Sequence, residues 1–472
     1  MENIYDIIEK DERIFNDKEF IFECKENMEY IKQNFNSITY GQFINKAKNF
    51  ASQLNEKEYT NQNILLIGKN SISYMLVDFA ITMYVGKCVN IDMTTPLLEV
   101  EHLIDFYNIS LVIYGNDLSE VFNNFNKCEK IILSTIDFEE NIDSYILFKN
   151  NLDECHKIIF TSGSTSSPKG IMLSLKNIFA GWESLQRRTP FTENDVIYLC
   201  LPLNHTYANI YNFYYSFLSG LSIYLSSNMI NIIKEMTVVQ PSIFCGVPLI
   251  YKRLSADLLE LSKISSLKYL YCGGAKLDVD LKQLYYKYNL RLLNAYALTE
   301  TASSFAIDYP DNDIEDTSVG TILEDLDVKI IKEKNGIGDI VVKGDAVFLG
   351  YYNNKIATKN SFTYEGYFIT NDKGYIKDNR LYIVGRNDNR ITQSNGENIY
   401  VDEIRKWFKS KNENILDVNI YERNGKNIYL FYVNKIDENK LNELVEEFNS
   451  SINKKDKIFN YEIKYKREKL IV

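Results

Sequence analysis

A short loop rich in hydroxyl groups carries the most suggestive chemistry in this sequence. Residues 158–170 read IIFTSGSTSSPKG, so an apolar run is followed by four serines, two threonines, two glycines and a single lysine. Glycines let successive backbone N–H groups turn towards one point, hydroxyl groups add donors, and one lysine adds positive charge. Such a loop can bind a phosphate group, but a flexible surface hairpin uses the same residue types.

The flanks of this loop exclude the best-known phosphate-binding motif. The pattern G-x-x-x-x-G-K-[ST] is absent, and residues 157–160 and 171–173 both read as strands, whereas that motif joins a strand to a helix. Ser174 is a suitable N-cap for a helix that begins at Leu175. We therefore predict a strand–loop–strand hairpin followed by a helix. From this loop alone, a phosphate site and a surface hairpin stay equally open.

The chain that must position this loop is long and acidic. With 472 residues it exceeds what one compact core normally holds, which predicts two or more domains. Its 45% hydrophobic and 25% charged residues are typical of globular proteins. A net charge of −11 argues against a general nucleic-acid binder, so any anionic ligand must be held by a local positive site.

Cysteine usage and apolar runs indicate the environment of the chain. The seven cysteines are widely spaced, and none forms a C-x-x-C pair, so neither a disulfide framework nor a zinc site is predicted. The start, MENIYDIIEKDERIF, lacks the apolar core of a signal peptide, and no uninterrupted apolar run approaches about 18 residues. We expect a soluble cytoplasmic protein without a membrane span.

Strand and helix patterns alternate along the first two thirds of the chain. Strands are predicted at 63–69, 88–93 and 111–115, with helices at 73–86 and 99–108 between them. This alternation is typical of a parallel sheet covered by helices. A strand pattern recurs at 237–248 and at 267–275.

The pattern of predicted elements changes from about Asp327 onwards. Hairpin strands are predicted there, with turn signals at Asn335-Gly336 and Asp378-Asn379. Two helices are predicted further on, at 401–411 and 438–452. The fold class is therefore α/β: a large N-terminal body of helix-covered sheets plus a β-rich subdomain, with a small mobile α+β C-terminal domain. The predicted domains are residues 1–386 and 387–472.

The hydroxyl-rich loop also resembles a known signature. TSGSTSSPKG is similar to T-S/T-G-S/T-T-G-x-P-K-G of the adenylate-forming enzymes, which include acyl- and aryl-CoA ligases, luciferases and peptide-synthetase adenylation domains. Ser166 replaces the usual glycine of this loop. Other segments match in the family's order: SITYGQFINKAKNFASQL (37–54), YLYCGGAKL (269–277), NAYALTETAS (294–303), GDIVVKGDAVFLGYYN (338–353), ITNDKGYIKDNRLYIVGRNDNRI (369–391) and SNGENIYVDEI (394–404). They depart from the family pattern at Ala297, Asp339, Asn371 and Val401.

The resemblance implies a first half-reaction in which a carboxylate joins the α-phosphate of ATP and pyrophosphate leaves. Cationic groups and oriented donors must then offset the repulsion between two anions. By resemblance, Glu300 is a Mg²⁺ ligand and Thr299 donates to the α-phosphate, so ATP and Mg²⁺ are the expected cofactors. The residues implied to hold the β- and γ-phosphates are Thr161, Ser162, Gly163, Ser164, Thr165 and Lys169.

The nucleotide itself has a second set of implied contacts. Gly274 and Ala275 lie in the turn before the adenine pocket, and Tyr296 offers its ring to adenine. Asp372 accepts hydrogen bonds from the ribose, and Arg386 reaches the ribose or a phosphate. Asp388 occupies the hinge position, where a short polar residue absorbs the rotation of the C-terminal domain.

The implied substrate pocket favours a fatty or aromatic acid. His205 lies in LPLNHTYANIYNF, which resembles the L-P-x-x-H-x-x-G segment of acyl- and aryl-CoA ligases, and is implied to line the pocket near the reacting carboxylate. Tyr207 stands where amino-acid-activating relatives place an aspartate, and an ammonium buried without a partner is costly. An α-amino acid is therefore disfavoured. Gly246, in FCGVPLIYKRL, and Gly273 complete the implied pocket.

The end of the sequence departs from the family pattern. The last of the seven prolines is Pro310, so the P-x-T-x-x-G-K segment, whose lysine contacts the carboxylate and α-phosphate, is not found. Lys464, Lys466 and Lys469 are candidates to replace that lysine. The acyl acceptor is expected to be CoA or a separate carrier protein, with residues 395–398 facing the incoming thiol arm.

Two alternative functions remain open from the sequence. The chain could be a stand-alone amino-acid-adenylating enzyme that loads a carrier protein. It could also be a catalytically weakened relative that binds a nucleotide or an acyl-adenylate as a partner subunit. The missing terminal lysine segment supports this second alternative, whereas Lys169, Glu300, Asp372 and Arg386 argue against it.

Overall fold

A computed structural model provides the three-dimensional structure of the chain. It describes residues 3–24, 34–123, 125–139, 145–160, 169–189, 191–226, 229–309, 317–334, 336–386, 390–392, 398–423, 426–434, 436–450 and 457–465.

Helices and strands alternate in the first part of the chain, as the sequence predicts. Local signals set the helix ends: Thr39 and Gln42 form a reciprocal capping box at one helix start, and Ser174 and Asn177 form another. The elements up to residue 186 are α1 (Ile4–Ile14), β1 (Glu19–Cys24), β2 (Phe35–Thr39), α2 (Tyr40–Glu56), β3 (Asn63–Ile67), α3 (Ile72–Tyr84), β4 (Lys87–Asn90), α4 (Leu97–Tyr107), β5 (Ile109–Tyr114), α5 (Ser119–Phe122), β6 (Glu129–Ile132), β7 (Cys155–Phe160), β8 (Gly170–Ser174) and α6 (Leu175–Gln186).

The middle of the chain adds further strands, helices and one π-helix. Only residues 243–246 of the predicted strand at 237–248 are extended, because Thr237–Val239 end a helix. The elements are β9 (Val196–Leu199), the π-helix (Tyr207–Tyr214), α7 (Tyr215–Leu218), β10 (Ser222–Leu225), α8 (Ile232–Val239), β11 (Ile243–Gly246), α9 (Pro248–Leu254), α10 (Leu258–Leu261), β12 (Tyr269–Cys272), α11 (Val279–Tyr286), β13 (Leu292–Tyr296), β14 (Ala306–Ile307), β15 (Thr321–Ile322), β16 (Asp327–Lys334), β17 (Ile337–Lys343), β18 (Gly350–Tyr351), α12 (Lys355–Asn360), β19 (Phe368–Lys377) and β20 (Arg380–Arg386).

The last part of the chain forms a small α+β unit. Its elements are β21 (Arg390–Thr392), β22 (Asn398–Tyr400), α13 (Val401–Lys411), β23 (Ile415–Arg423), β24 (Lys426–Val433), α14 (Glu438–Ser450) and β25 (Tyr461–Tyr465). Both predicted helices, at 401–411 and 438–452, are confirmed within two residues. The predicted boundary between residues 386 and 387 borders residues 387–389, which lie outside the described ranges, and it stays a prediction.

Two large sheets form the body of the described chain. One has seven strands in the order β18-β8-β7-β4-β3-β5-β6, and β7 and β8 pair antiparallel as the predicted hairpin. The other has thirteen strands in the order β16-β17-β19-β20-β15-β14-β13-β12-β11-β9-β10-β1-β2. The predicted β-rich subdomain continues this second sheet, because β14 pairs antiparallel with β13. The predicted α/β fold class is confirmed.

The hydrophobic core divides between the body and the C-terminal unit. Buried residues of the body form one large cluster and a smaller one around β5 and α4. The C-terminal unit has its own cluster, which includes Phe408 from α13, Phe431 from β24 and Phe448 from α14. Each unit therefore buries apolar surface of its own, as expected for separate domains.

Candidate active site

The candidate active site is a cavity of about 1860 Å³ at one edge of the thirteen-stranded sheet. The strands β9, β11, β12 and β13 run parallel there, and residues that follow each of them line the cavity. Ligands of open α/β sheets bind outside the carboxyl ends of parallel strands. Residues of the C-terminal unit, among them Arg405 and Tyr432, complete the wall.

Asp372 is the centre of a hydrogen-bonded group on this wall. Its side chain is 3% exposed, and Arg386 donates to one carboxylate oxygen at 2.5 Å. The hydroxyl of Tyr296 donates to the other oxygen, also at 2.5 Å. Asp372 and Arg386 face each other across β19 and β20, so the sheet register itself brings them together. The structure thus unites three residues that the sequence assigned to the nucleotide.

Glu300 and Lys169 approach each other through a tyrosine. The hydroxyl of Tyr351 donates to Glu300 Oε1 at 3.1 Å, and Lys169 Nζ lies 5.1 Å from the centre of the Tyr351 ring. Glu300 lines the cavity, whereas Lys169 is exposed, is not among the lining residues and lies one residue before β8. The backbone of Gly170, which starts β8, donates to the Tyr107 hydroxyl at 2.9 Å and fixes this end of the hairpin.

Thr299 and His205 lie on the same cavity wall. Thr206 donates a hydrogen bond from its hydroxyl to that of Thr299 at 2.9 Å, which ties the segment after β9 to the segment after β13. Both His205 and Thr299 line the cavity. The two segments that the sequence assigned to the reacting carboxylate and to the α-phosphate are therefore in direct contact.

Tyr207 begins a row of three tyrosines on the π-helix and α7. Its ring centre lies 5.6 Å from that of Tyr211, and Tyr211 lies 6.0 Å from Tyr215. The Tyr207 hydroxyl donates to the backbone oxygen of Tyr271 at 3.1 Å. Burial raises the pKa of Tyr207 and of Tyr211, so both are neutral at physiological pH. A π-helix is rare and frequently marks a functional site.

Glycine shapes the turn after β12. Gly273, Gly274 and Ala275 all line the cavity, and their assignments to the acid and to the nucleotide stay predictions. Gly274 has φ +77°, a left-handed conformation that other residues rarely adopt. Gly246 is not among the cavity-lining residues, because its α-carbon faces the ring of Tyr251, which would lie 3.1 Å from an added β-carbon.

A buried ion pair joins β7, the strand before the hydroxyl-rich loop, to α3. Lys157 of β7 and Asp78 of α3 are fully buried, and Lys157 Nζ lies 2.7 Å from both carboxylate oxygens. Asp78 also accepts hydrogen bonds from the Tyr214 hydroxyl at 2.7 Å and from Asn209 at 3.1 Å, both on the π-helix. The strand that leads into the hydroxyl-rich loop and the helix that carries Tyr207 and Tyr211 are therefore held to one carboxylate.

Several predicted site residues lie outside the described part of the chain. They are Thr161, Ser162, Gly163, Ser164, Thr165, Asp388, Lys466, Lys469 and residues 395–397. Lys464 is described and lies on β25, with its Nζ 5.5 Å from the ring centre of Tyr432, a cavity-lining residue.

Three departures from the family pattern have a structural explanation. Asn371 has φ +63°, and asparagine tolerates this left-handed region better than most residues where the family carries glycine. Ala297 does not have a positive φ, so its β-carbon causes no backbone strain. Val401 is the first residue of α13, a position that suits the proline found in relatives.

The sequence patterns do not mark several residues of the site. Tyr351, whose hydroxyl contacts the cavity-lining Glu300, lies in the segment FLGYYN, where the family resemblance does not single out this tyrosine. Thr206 directly follows His205 and could have been found from that neighbourhood. Arg405 carries no sequence signal, because only the fold brings it to the cavity wall. Tyr211 has a weak one, since it belongs to the closely spaced tyrosines at 207–215, which favour an aromatic or hydroxylated pocket.

Neither a metal cluster nor a membrane span is found among the described residues. These residues contain no group of three or more His, Cys, Asp or Glu side chains arranged to hold a metal ion. Nor does any of their helices combine the length and apolar character needed to cross a membrane.

Comparisons with known proteins agree with the motif resemblance. The family model described as AMP-binding enzyme matches residues 16–352. The 2-succinylbenzoate–CoA ligase of Staphylococcus epidermidis is 28% identical over 446 residues, covering 88% of this chain and 86% of that protein. The enzyme of the same name from Bacillus licheniformis is 32% identical over 268 residues, a match that spans only 54% of either chain.

Solved structures show the same fold. The o-succinylbenzoate CoA synthetase of Bacillus subtilis, bound with a product analogue, has a TM-score of 0.82 and is 18% identical, with 98% of this chain and 95% of that chain covered. In complex with ATP and magnesium ion, that enzyme has a TM-score of 0.73 and is 19% identical, with 98% of this chain and 96% of that chain covered. With the family match from residue 16 to residue 352, the chain belongs to the AMP-binding enzymes, the adenylate-forming superfamily that its motifs resemble.

Proposed function

We propose that this protein activates a fatty or aromatic carboxylic acid with ATP and then passes the acyl group to a thiol. One observation carries the proposal: the Tyr296–Asp372–Arg386 group, Thr299 and Glu300 line one cavity together with the uncharged Tyr207 and Tyr211. Polar residues suited to a nucleotide and aromatic residues suited to an organic acid are thus combined in one cavity. The relatives from Bacillus licheniformis and Staphylococcus epidermidis are named CoA ligases.

In this proposal the polar end holds ATP. Asp372 accepts hydrogen bonds from the ribose, because a carboxylate offers about four acceptor sites. Tyr296 presents its ring to adenine. Contact with Phe305, whose ring centre lies 5.0 Å from that of Tyr296, fixes the orientation of the Tyr296 ring. Lys169 and the loop that precedes it hold the β- and γ-phosphates.

The reaction joins an oxygen of the acid to the α-phosphorus of ATP. As that P–O bond forms, the bond from the α-phosphorus to the bridging oxygen breaks and pyrophosphate leaves, so no redox partner is needed. Thr299 donates a hydrogen bond to the α-phosphate, where negative charge is concentrated in the transition state. His205 and Tyr207 orient the acid, and the acyl-adenylate then reacts with a thiol to release AMP.

Glu300 fits the Mg²⁺ that ATP requires. Its side chain lines the cavity, and one of its oxygens accepts only a neutral hydroxyl from Tyr351, so the carboxylate can still bind a cation. Mg²⁺ in nucleotide sites is usually bound by one or two carboxylates together with phosphate oxygens and water. A single carboxylate without a dedicated protein cage is consistent with this mode of binding. Bound Mg²⁺ would neutralise phosphate charge beside Glu300.

CoA is the acceptor that we favour, and a separate carrier protein is the alternative. Arg405 and Tyr432 of the C-terminal unit line the cavity, so this unit stands where a thiol must enter. The relatives named as CoA ligases support the small-molecule acceptor. An amino acid is disfavoured, because Tyr207 stands where amino-acid-activating relatives place an aspartate, and the described titratable groups that influence its hydroxyl are tyrosines and cysteines.

The decisive experiment is acid-dependent ATP–pyrophosphate exchange. Exchange is measured with short-chain, long-chain and aryl acids and with a panel of amino acids, followed by AMP release upon addition of CoA. We expect exchange with aryl or aliphatic acids, none with amino acids, and AMP release that depends on CoA. Binding of ATP without exchange for any acid would refute the enzymatic proposal, and acid exchange without CoA-dependent AMP release would point to a carrier protein.

A variant pair makes this experiment specific to the site. Lys169→Ala should lower exchange at least about 10-fold, because a cation beside the leaving phosphates is lost. Lys176→Ala is the matched control, since Lys176 is half exposed on α6 and pairs with Asp345 away from the cavity. Equal activity of the two variants would argue against a phosphate contact of Lys169.

A further inference from the structure

The turn that carries Thr299 and Glu300 is followed by two residues in a strained backbone conformation. Thr299–Thr301 form a short 3₁₀-helix, and Ala302 and Ser303 come next with φ +47° and +62°. Neither of these two is glycine, asparagine or aspartate, the residues that tolerate the left-handed region best. Such a backbone persists only where its surroundings hold it, and it is common at active sites. The contacts that hold this segment therefore also set the direction of the two side chains before it.

A side chain from a distant element supplements the backbone hydrogen bonds of this turn. The backbone oxygen of Leu298 accepts from the N–H groups of Thr301 at 3.1 Å and of Ser303 at 3.2 Å. The backbone oxygen of Ala302 accepts a hydrogen bond from the hydroxyl of Tyr215, which lies 87 residues earlier, on α7. Tyr215 and Ala302 are both buried, so little water competes for this hydrogen bond.

A glycine in α6 leaves the space that the Tyr215 hydroxyl occupies. Gly181 is buried in the interior of this helix, and an added β-carbon there would overlap the Tyr215 hydroxyl. The same β-carbon would lie 3.1 Å from the Oγ atom of Ser304. Glycine destabilises the interior of a helix, so its presence here indicates a packing requirement. Gly181 and Tyr215 therefore form a matched pair.

The π-helix and α7 together contact the turn at two points. Thr206, which precedes the π-helix, donates from its hydroxyl to that of Thr299 at 2.9 Å. Tyr215, the first residue of α7, donates to Ala302. Glu300 lies between these two contact points in sequence, so its backbone is fixed on both sides.

We propose that Tyr215 is a positioning residue for the reaction with ATP. Its hydroxyl holds the left-handed backbone at Ala302 and thereby directs Thr299 and Glu300 towards the phosphates and Mg²⁺. Tyr215 is not among the residues that line the cavity, so it acts through the turn. Without the hydroxyl the turn relaxes, and a displacement of about 1 Å can cost on the order of 100-fold in rate. This inference rests on the proposed function and adds a residue to it.

Tyr215→Phe tests this role in catalysis and in nucleotide binding. In ATP–pyrophosphate exchange, with the acid that gives the fastest exchange, kcat should fall at least about 10-fold and KM for the acid should stay within about 2-fold. In calorimetry, MgATP should bind at least about 10-fold more weakly, because Glu300 no longer points at the metal ion. The affinity for ATP in excess EDTA should change less. Unchanged kcat and MgATP affinity would overturn the inference.

Tyr5→Phe is the matched control for stability. Tyr5 is also buried and donates from its hydroxyl to a backbone oxygen, that of Met83, at 2.6 Å. It lies on α1, none of whose residues line the cavity. Both variants should unfold at a lower temperature than wild type, but only Tyr215→Phe should change kcat and the affinity for MgATP. Equal losses in the two variants would mean a general loss of stability and would overturn the positioning role.

A second substitution in the turn tests whether the hydroxyl acts on the left-handed backbone. Glycine adopts this conformation without steric cost, so Tyr215→Phe/Ala302→Gly should have a higher kcat than Tyr215→Phe. A kcat that is no higher would show that the strained backbone is not what the hydroxyl holds.

Gly181→Ala tests the pairing between the glycine and the tyrosine. It should lower kcat as Tyr215→Phe does, because the new methyl group displaces the hydroxyl. The double variant Gly181→Ala/Tyr215→Phe should lose less than the product of the two single losses, since the overlapping hydroxyl is gone. Losses that multiply would show that Gly181 does not act through Tyr215.

The outcomes distinguish this inference from the proposed function. Exchange by the wild-type protein, together with a Tyr215→Phe variant that matches it in kcat and MgATP affinity, would overturn the inference and leave the proposed function intact. Absence of exchange with every acid in the wild-type protein would overturn the proposed function and the inference with it.

Discussion

Tyr351 links the two residues that the sequence assigned to the triphosphate and its metal ion. Its ring faces the Lys169 ammonium group and its hydroxyl donates to the Glu300 carboxylate. One side chain therefore contacts both the cation and the anion. The cation–π contact is worth roughly 0.5–1 kcal/mol at an exposed site, and a hydrogen bond to a charged group about 1.5–3 kcal/mol. The hydroxyl is therefore the larger contribution.

Tyr351→Phe tests this contribution. The ring and its contact with Lys169 remain, while Glu300 loses a donor, so we expect kcat/KM for ATP to fall by roughly 10-fold, since about 1.4 kcal/mol corresponds to that factor. Tyr352→Phe is the neighbouring control, because the Tyr352 hydroxyl accepts a hydrogen bond from Asn63 and donates to the backbone oxygen of Tyr107, whereas that of Tyr351 donates to Glu300. The assignment fails if the two variants have the same kcat/KM.

Asp372 and Asp308 provide a second comparison at the scale of single residues. Both are nearly fully buried and pair with an arginine, Arg386 and Arg380 respectively, but only Asp372 lines the cavity. Asp372→Asn should weaken AMP binding at least about 10-fold in calorimetry, because the charged acceptor for the ribose is lost. Asp308→Asn should lower the unfolding temperature and leave the dissociation constant for AMP unchanged. A shared effect on AMP binding would mean that burial of the charge, not its position, explains the loss.

Among the elements, β7 and α3 depend on each other through the Asp78–Lys157 pair. Removing one partner of a buried ion pair typically costs about 3–5 kcal/mol, because the other charge is left uncompensated. Asp78 also accepts hydrogen bonds from Asn90 of β4 and from Asn209 and Tyr214 of the π-helix, so its oxygens hold two further elements in place. Loss of Lys157 should therefore destabilise other elements besides β7.

Lys157→Met and the double variant Asp78→Asn/Lys157→Met test this dependence. Lys157→Met should lower the free energy of unfolding by about 3–5 kcal/mol in urea titrations. The double variant should be more stable than Lys157→Met, because asparagine keeps an acceptor oxygen without a buried charge. If the double variant were the less stable of the two, the uncompensated charge would not be the cause of the loss.

The adjacent residue of β7, His156, makes stability depend on pH. It is 3% exposed, and burial lowers its pKa below the ordinary value. The unfolded chain therefore binds a proton more readily, so stability is complete above the unfolded pKa of about 6.5 and is lost as pH falls through the lower folded value. Between pH 7 and 5 the unfolding temperature of wild type should fall more than that of His156→Asn. His102→Asn, at an exposed position of α4, should follow wild type, and an equal slope in all three proteins would exclude His156 as the cause.

Local patterns predicted most elements, and distant contacts account for what they missed. The strands β3, β4 and β5 follow apolar runs, and the turn at Asp378-Asn379 has positive φ at both residues, as a tight hairpin turn requires. The π-helix was not predicted, because helical spacing alone does not separate its hydrogen bonds from those of an α-helix. Asp78 and Lys157 are 79 residues apart and each resembles a surface charge in sequence, so only the fold reveals their pairing.

At the scale of the whole molecule, the body and the C-terminal unit share a cavity but not a hydrophobic core. The motifs predicted both units and most of the polar cavity wall, because each motif is local and its place follows from resemblance. Of the tyrosine row, the resemblance predicts only Tyr207 as a pocket residue. Arg405 could not be predicted this way, since only the fold brings it to the cavity wall. This part of the wall therefore depends on tertiary packing, whereas the motif-bearing part follows from local sequence.

Because the body and the C-terminal unit have separate hydrophobic cores, we expect each unit to unfold independently of the other. Phe448 is fully buried in the C-terminal cluster, with its ring centre 5.2 Å from that of Phe408, whereas Phe43 is fully buried in the large cluster of the body. Replacing a buried phenylalanine with alanine typically costs about 3–5 kcal/mol. Phe448→Ala should therefore accelerate amide hydrogen exchange in α13, β23 and β24 and leave exchange in β3 and β7 unchanged, whereas Phe43→Ala should accelerate exchange in the body. Equal acceleration of both units by Phe448→Ala would instead mean that they unfold as one cooperative unit, with the shared cavity wall coupling them as strongly as a common core would.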